Sequence, residues 1–239
     1  MSAKEGIKLA AQRLFAEKGI DGVSVREIVA AAGLKNQGSL HYYFGTKEDL
    51  VKALVLDGSK LIDERRNSWL DDIESEGGPH CLQDITDVLI FPSTKMSPDG
   101  PYYEDSFTRF IVLMQQSHSQ LFLDTLENRW NSGYQRCLTH LRRLMPAMPE
   151  SVKNQRFIFM GAYLGSVLAL REGVLAKGGR GVKTWYQEDT LQHFSQTMAA
   201  MLAAPLADGI FATGGASQTE SRKRSVSTKK VSGPYGKFA

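Results

Sequence analysis

Cysteine is scarce in this sequence, which holds only Cys81 and Cys137 and no CxxC spacing. This composition predicts neither a disulfide scaffold nor a zinc site, and it fits a reducing compartment. Long hydrophobic runs are also missing. The longest, 157–170, contains two glycines and falls short of the ~18 residues that a membrane helix needs. The first residues lack the apolar segment of a signal peptide. We therefore expect a cytoplasmic protein without a membrane partner.

Charge of one sign is limited as well, because the whole chain carries a net charge of only +3. Residues 208–239 hold six Lys and Arg against two acidic residues, so this segment is +4 and the remainder is −1. A surface that binds a polyanion must then be a local patch. Residues 208–239 contain few large apolar groups, which predicts disorder. Their basic clusters fit either non-specific phosphate contacts or a solvated tail without a role, and we favour the second.

What the sequence does contain is helical periodicity. No segment shows sustained strand-type alternation, so the predicted fold class is all-α. Near the N-terminus, apolar residues recur at helical spacing in Ile7, Ala10, Ala11, Leu14 and Phe15. Ser24 and Glu27 form a capping box for a second helix that ends at Gly33. Asn36 is expected to cap a third helix that runs to about Tyr43 and is broken by Gly45. Thr46 opens a fourth helix that extends toward Trp69.

Longer apolar helices are predicted after the Gly-Gly-Pro segment at 77–79. Their expected bounds are 80–91, 103–117, 119–145, 151–176 and 187–204. The prediction is therefore a small N-terminal helical domain at 1–50, a larger helical domain at 51–207, and the basic tail at 208–239.

Two short capped helices joined by a Gly-containing turn predict a helix-turn-helix, whose second helix lies in the DNA major groove. Asn and Gln side chains pair with adenine, Lys and Arg bind phosphate or guanine, and hydroxyl and imidazole groups bond to phosphates. Lys47, at the start of the fourth helix, is expected to hold a phosphate together with backbone N–H groups. The expected DNA-binding residues are Ser24, Arg26, Lys35, Asn36, Gln37, Ser39, His41, Tyr42, Tyr43 and Lys47. The alternative is an ordinary helix pair in which Asn36 is only a cap and the tyrosines only pack.

Three stretches within residues 7–56 resemble the DNA-binding domain of the TetR/AcrR family of repressors. They are AAQRLFAEKG at 10–19, VREI with AAG at 25–33, and GSLHYYFGTKEDL at 38–50. The segment from Gly33 to Phe44 is one residue longer than in most members, so the motif carries over while the base-reading roles of Lys35, Asn36 and Gln37 stay open.

The resemblance implies a helical C-terminal domain with a ligand pocket. It also implies a homodimer formed mainly by the last two long helices, here 155–175 and 191–202; periodicity alone also fits intramolecular core helices. A pocket of this kind is mostly apolar with a few polar groups. The candidate ligand-binding residues are Trp69, Phe107, Arg109, Phe110, Met114, His118, Trp130 and Tyr134. For each aromatic, plain core packing is the competing interpretation. Arg109 is expected to oppose the charge of an acid or acyl thioester, and the loop at 92–103 to border the pocket.

The sequence contains no Gly-rich phosphate loop, HExxH or GxSxG motif, so we expect neither an enzyme nor a bound cofactor or metal. We expect a repressor that binds a palindromic operator in double-stranded DNA as a dimer and is released by a small hydrophobic or aromatic effector. The helix that begins at Thr46 would transmit the signal between domains. The alternatives are a ligand-independent regulator or activator, and a purely structural helical dimer.

Overall fold

The computed structural model describes residues 2–36, 38–94, 96, 105–127, 129–179, 181–187 and 189–207. Within these ranges the secondary structure is entirely helical, with eleven α-helices, one 3₁₀ turn and no strand. The predicted all-α fold class is confirmed. Gln37, most of the loop at 92–103 and the tail at 208–239 lie outside the described residues.

The N-terminal unit consists of α1 (Ala3–Lys18), α2 (Val25–Ala31) and α3 (Gly38–Phe44). The predicted capping box is present at the start of α2: the Ser24 backbone N–H donates to Glu27 Oε2 at 2.8 Å, and the Glu27 N–H donates to Ser24 Oγ at 3.2 Å. Gly33 and Gly45 follow α2 and α3 with φ of 73° and 80°, a region that favours glycine. The buried core of the unit includes Ile7, Ala11, Phe15, Ile28, Val29 and Leu40.

Helix α4 (Lys47–Ser75) connects the N-terminal unit to the rest of the chain. The Thr46 hydroxyl accepts a hydrogen bond from the Asp49 N–H at 3.0 Å, so the predicted N-cap is confirmed. The helix continues past the expected end at Trp69 for another six residues. Its first half buries Leu50, Val51, Leu54 and Val55 in the N-terminal core, and Leu70 belongs to the second core.

The remaining helices are α5 (Leu82–Ile90), α6 (Phe107–Ser117), α7 (Ser119–Leu126), α8 (Ser132–Leu144), α9 (Glu150–Lys177), α10 (Val182–Tyr186) and α11 (Asp189–Ala203), with a 3₁₀ turn at Phe91–Ser93. The prediction of one continuous helix over 119–145 is wrong, because the helix is interrupted between α7 and α8. Glu127 and Trp130 adopt left-handed φ of 45° and 55°. A tertiary contact fixes the new start, since buried Asp63 on α4 accepts hydrogen bonds from the Ser132 hydroxyl and the Gly133 N–H.

Helix α6 packs on two neighbours at once. One face contacts α1, where the Phe15 and Phe110 rings stack with centroids 5.9 Å apart. The opposite side packs on α9, where the buried Glu172 carboxylate accepts the N–H groups of Thr108 and Arg109 at 2.9 and 2.7 Å. This carboxylate satisfies two backbone donors in the first turn of α6, which have no partner inside the helix. Helix α6 therefore joins the N-terminal unit to the C-terminal core.

Helix α9 is 28 residues long and, by length and composition, apolar enough to cross a membrane. The two glycines within 157–170 lie inside the helix and do not interrupt it, so α9 is longer than the apolar run at 157–170. Only 28% of its most apolar stretch is buried. Its exposed surface includes Ile158, Phe159 and Leu170, while Arg171 and Glu172 are buried against the protein. An extended apolar face of α9 is thus left uncovered in the single chain.

Candidate nucleic-acid interface and internal cavity

Helix α3 presents aromatic side chains to solvent. Tyr42 is 82% exposed and Tyr43 is 39% exposed, and their rings meet edge to face with centroids 5.0 Å apart. On the opposite side of the helix, Leu40 is buried in the N-terminal core. A large aromatic that is this exposed contributes little to folding, so its surface is available to a partner.

The same helix-turn-helix unit carries two exposed cations. Arg26 on α2 and Lys35 in the turn are exposed, and neither forms a hydrogen bond or ion pair with a residue that the structure describes. Nearby Ser24 is exposed too, but its hydroxyl is occupied by the capping box, where it lies 2.8 Å from Glu27 Oε2. The backbone N–H of Ser24 and the ammonium of Lys18 lower the pKa of Glu27 to about 2, so this carboxylate is ionised at neutral pH.

Asn36 and His41 brace the two ends of α3. Asn36 Oδ1 accepts the backbone N–H of Gly38 at 2.8 Å, which is the capping role that the sequence analysis considered for it. His41 Nδ1 lies 2.7 Å from the carbonyl oxygen of Gly45. Because a carbonyl can only accept, Nδ1 carries the proton, and Nε2 is left for an external partner. Ser39 is half-buried on the same helix, and Gln37 lies outside the described residues.

Lys47 forms an internal contact that the sequence did not reveal. Its Nζ donates to the carbonyl oxygens of Ile20 and Val23, both at 3.0 Å. The side chain therefore ties the first turn of α4 to the connection between α1 and α2. Two of its three N–H donors are used here, which competes with the predicted phosphate contact.

A cavity of about 230 Å³ lies within the C-terminal part, bounded by α4, α6, α7, α8 and α9. Most of its wall is apolar: Ile62, Phe107, Ile111, Val112, Phe122, Leu126, Trp130, Gly161, Leu164, Gly165 and Leu168. The polar groups in the wall are Ser59, Arg66, Ser93, Thr108, Gln115, Asn131 and Tyr134. An apolar cavity with a few polar groups is the usual form of a small-molecule site.

Three predicted ligand-binding residues, Phe107, Trp130 and Tyr134, line this cavity. The other five lie elsewhere. Phe110 and Met114 are buried in the N-terminal core, and Arg109 borders a surface groove between α1, α6 and α9. The Trp69 ring packs near Phe91 with centroids 5.9 Å apart, and His118 Nε2 lies 3.0 Å from Asp21 Oδ2.

Among the described residues, Arg66 is the one charged residue in the cavity wall, and no pattern in the sequence pointed to it. Its Nη2 donates to the Leu89 carbonyl and the Ser93 hydroxyl, both at 3.2 Å, whereas its buried Nε has no hydrogen-bond partner among the described residues. Burial lowers the pKa of Arg66, because desolvation destabilises the charged guanidinium. Arg65 and Arg66 are adjacent and chemically identical, so only the helix orientation distinguishes them.

The described part of the chain contains no group of three or more His, Cys, Asp or Glu side chains placed to hold a metal ion. The cavity wall and the exposed surface of α2 and α3 each combine apolar or aromatic groups with a few polar or charged ones, which is the composition of a binding surface.

Comparison with known families identifies the N-terminal unit. Residues 7–54 match the family described as bacterial regulatory proteins, tetR family. The match ends in the first half of α4, so it covers the helix-turn-helix and leaves the cavity-bearing part outside.

Solved structures resemble the whole helical arrangement. AibR in complex with isovaleryl coenzyme A and operator DNA has a TM-score of 0.53 and 17% identity, covering 86% of this chain and 100% of AibR. The TetR family transcriptional regulator PfmR from Thermus thermophilus has a TM-score of 0.49 and 15% identity, covering 82% of this chain and 96% of PfmR. At such identities the likeness to AibR establishes a shared fold.

Proposed function

We propose that this chain, whose residues 7–54 form a DNA-binding domain of the tetR family, is a repressor that binds a palindromic operator as a homodimer and is released by a small effector. The observation that carries the proposal is the surface formed by α2 and α3. These helices and the turn between them carry an 82% exposed Tyr42 and two exposed cations, Arg26 and Lys35, that have no internal partner in the described structure.

The roles of these residues follow from their positions. Helix α3 enters the major groove, with Lys35 and Ser39 near its start and Tyr42 and Tyr43 along its exposed side. Arg26, at the start of α2, contacts the phosphate backbone, as the first helix of such a motif does. The Ser24 hydroxyl, Asn36 and Lys47 hold the local fold through the contacts described above, so their contribution to DNA binding is largely positional.

The homodimer is proposed because α9 needs a covering surface. Its exposed residues include Ile158, Phe159 and Leu170, and large apolar side chains exposed together mark an interaction site. A second copy of the chain buries these side chains by packing α9 and α11 against their counterparts in a four-helix interface. A two-fold dimer of this kind matches the two-fold symmetry of a palindromic operator.

The internal cavity is the proposed effector site. Phe107, Thr108, Ile111, Val112 and Gln115 of α6 contribute to its wall. The same helix packs on α1 of the DNA-binding domain, so a ligand that displaces α6 also displaces that domain. The effector reduces DNA affinity only if it binds the DNA-incompetent arrangement more tightly. The AibR complex, which contains both isovaleryl coenzyme A and operator DNA, supports this pairing of a ligand with DNA on the same fold.

The test is fluorescence anisotropy with DNA from the upstream region of its own gene, measured across salt concentrations. Tyr42→Ala and Arg26→Ala are expected to weaken binding, and Arg26→Ala to reduce the magnitude of the salt slope by about 1 because it removes a phosphate contact. Lys60→Ala is the matched control. This exposed cation lies on α4 thirteen residues beyond Lys47, about 20 Å along the helix. Binding that is no tighter than to random DNA, or that the control weakens equally, would contradict the proposal.

A ligand-independent regulator or activator is the alternative. This alternative uses the same DNA-binding surface, so the distinguishing measurement is operator affinity with and without a cavity ligand. A change in affinity supports the ligand-responsive repressor, and no change supports the alternative. The cavity favours the ligand-responsive form, since a packed core contains few voids larger than a water molecule.

A further inference from the structure

We propose that the effector of the cavity is a small organic acid with an apolar body, and that its carboxylate binds the guanidinium of Arg66. This inference rests on the proposed function, because it takes the cavity as the effector site. It adds the chemical class of the effector and the residue that recognises it.

The first argument is the unbalanced charge of Arg66. Removing a charged side chain from water is costly unless it is paired, and Arg66 is partly buried. Arg66 nevertheless has no carboxylate within ion-pair distance among the described residues, and its two hydrogen bonds, both from Nη2, reach the neutral oxygens of Leu89 and Ser93. Its Nε is buried and unbonded. A guanidinium presents five N–H donors in a planar fork, and among the described residues only those on Nη2 have a partner.

The nearest acid does not supply the missing partner. Asp63 lies one turn earlier on α4, but its Oδ1 accepts the Gly133 N–H at 2.7 Å and its Oδ2 accepts the Ser132 hydroxyl at 2.8 Å. These bonds hold the Asp63 carboxylate at the start of α8. The other close neighbour of Arg66 is the Tyr134 ring, whose centroid lies 5.8 Å from Cζ. An aromatic face stabilises a cation without neutralising it. A carboxylate from a ligand is therefore the complementary group.

The second argument concerns the body and size of the ligand. Apart from its few polar groups, the wall is formed by aliphatic and aromatic side chains, which favour an apolar body. The volume of about 230 Å³ lies below the roughly 300–1,000 Å³ of sites that enclose drug-sized molecules. The cavity is partly open and suits a short aliphatic or phenyl-substituted acid, whereas most of a coenzyme would lie outside it.

The position of the charge separates a free acid from an acyl thioester. In a thioester the acyl end is neutral and the phosphates lie far from it, so an enclosed acyl group leaves Arg66 without a partner. A free acid carries its negative charge on the enclosed part. Arg109, which the sequence singled out for this role, borders a surface groove instead of the cavity.

The test uses isothermal titration calorimetry of the full chain with hexanoate, octanoate, phenylacetate and 4-phenylbutanoate. Each acid is compared with its primary amide, which has nearly the same shape without the charge, and hexanoate also with hexanoyl coenzyme A. At least one acid is expected to bind ten or more times more tightly than its amide. Arg66→Met should remove that difference, Arg66→Lys should retain part of it, and Arg109→Met is the control that leaves it unchanged.

Because Arg66 also bonds to Leu89 and Ser93, its replacement can disturb folding. A second variant therefore keeps Arg66 and fills the cavity. A Cβ placed on Gly161 meets no atom within 4 Å, so Gly161→Leu can extend into the open space without a backbone clash. This variant should lose acid binding while its circular dichroism spectrum stays that of wild type, which separates a filled cavity from a misfolded chain.

Three outcomes would overturn the inference: acids and amides that bind equally, Arg66→Met that binds acids as wild type does, or no binding of any acid by a protein that still recognises its operator. In each of these the DNA-binding proposal stands. Conversely, Arg66-dependent acid binding by a chain that recognises no operator would support the ligand assignment and contradict the proposed function. Tighter binding of hexanoyl coenzyme A than of hexanoate would also overturn the free-acid assignment.

Discussion

Substitution of Gly58 by alanine tests whether α4 and α6 are locked together at the edge of the cavity. Gly58 lies in the middle of α4, and a Cβ at this position would overlap Cε2 and Cζ of the Phe107 ring and lie 2.7 Å from Cδ2. Phe107 is only 4% exposed and packs near Phe110, so its ring has little room to retreat. Two opposing effects then decide the sign of the change in stability.

Alanine in a helix interior gains about 1 kcal/mol over glycine, whereas overpacking a core costs about 1–3 kcal/mol. We expect the cost to exceed the gain by about 1 kcal/mol, which lowers Tm by about 2–4 °C for a chain of this size. Gly161→Ala is the matched control, because the same methyl group meets no atom within 4 Å there. That control should raise the free energy of unfolding by up to about 1 kcal/mol.

Both variants are compared with wild type by thermal unfolding at one fixed protein concentration, since the proposed dimer would make Tm depend on concentration. If Gly58→Ala melts at or above the wild-type temperature, the Phe107 ring moves freely and the close packing of α4 on α6 is not a rigid contact. Displacement of the ring toward the cavity should also weaken acid binding in Gly58→Ala.

Three further predictions concern single side chains. Lys47→Met should lower the free energy of unfolding by about 1–2 kcal/mol in urea titrations, because the Ile20 and Val23 carbonyls lose a charged donor. The same variant should leave the salt slope of DNA binding unchanged. A slope reduced by about 1 would instead reveal a phosphate contact. Burial raises the pKa of Glu172 to about 7, so the folded state holds this proton more tightly than the unfolded state does. The free energy of unfolding should therefore fall by up to about 3 kcal/mol as pH rises from about 4.5 to about 7. An equal pH dependence in Glu172→Gln would refute this. Tyr42→Ala should change the free energy of unfolding by less than about 0.5 kcal/mol and weaken operator binding about fivefold or more. A large loss of stability would show instead that the ring is part of the folded core.

The local signals near the N-terminus predicted the structure because they act over a few residues. Ser24 and Glu27 form their capping box, and Thr46 caps α4, through contacts only three residues apart. The same reasoning failed at 119–145, where the sequence between Glu127 and Ser132 contains neither Gly nor Pro. The break there depends on Asp63, some seventy residues away in the sequence, and such a contact leaves no periodic signal.

The two parts of the candidate site also differ in how far the sequence predicts them. The exposed surface of α3 could be anticipated, since its residues follow a recognisable motif and one helix side must face outward. The cavity could not, because Phe107, Trp130 and Tyr134 look no different in sequence from Phe110, Met114 and Trp69. Which aromatic faces a void depends on how five helices pack together. For the same reason the sequence pointed to Arg109, while the packed structure turns Arg66 into the cavity.

Helix α6 carries two sets of residues on different sides of one short rod. Thr108 and Gln115 line the cavity, whereas Phe110 and Met114 pack into the core shared with α1, and Phe107 contributes to both. A substitution in the first set alters what the cavity accepts without touching the surface that holds the DNA-binding domain. Under the proposed function, ligand preference and operator response can therefore change separately in evolution. In the laboratory, the cavity side of α6 would be the place to alter ligand preference while operator binding is kept.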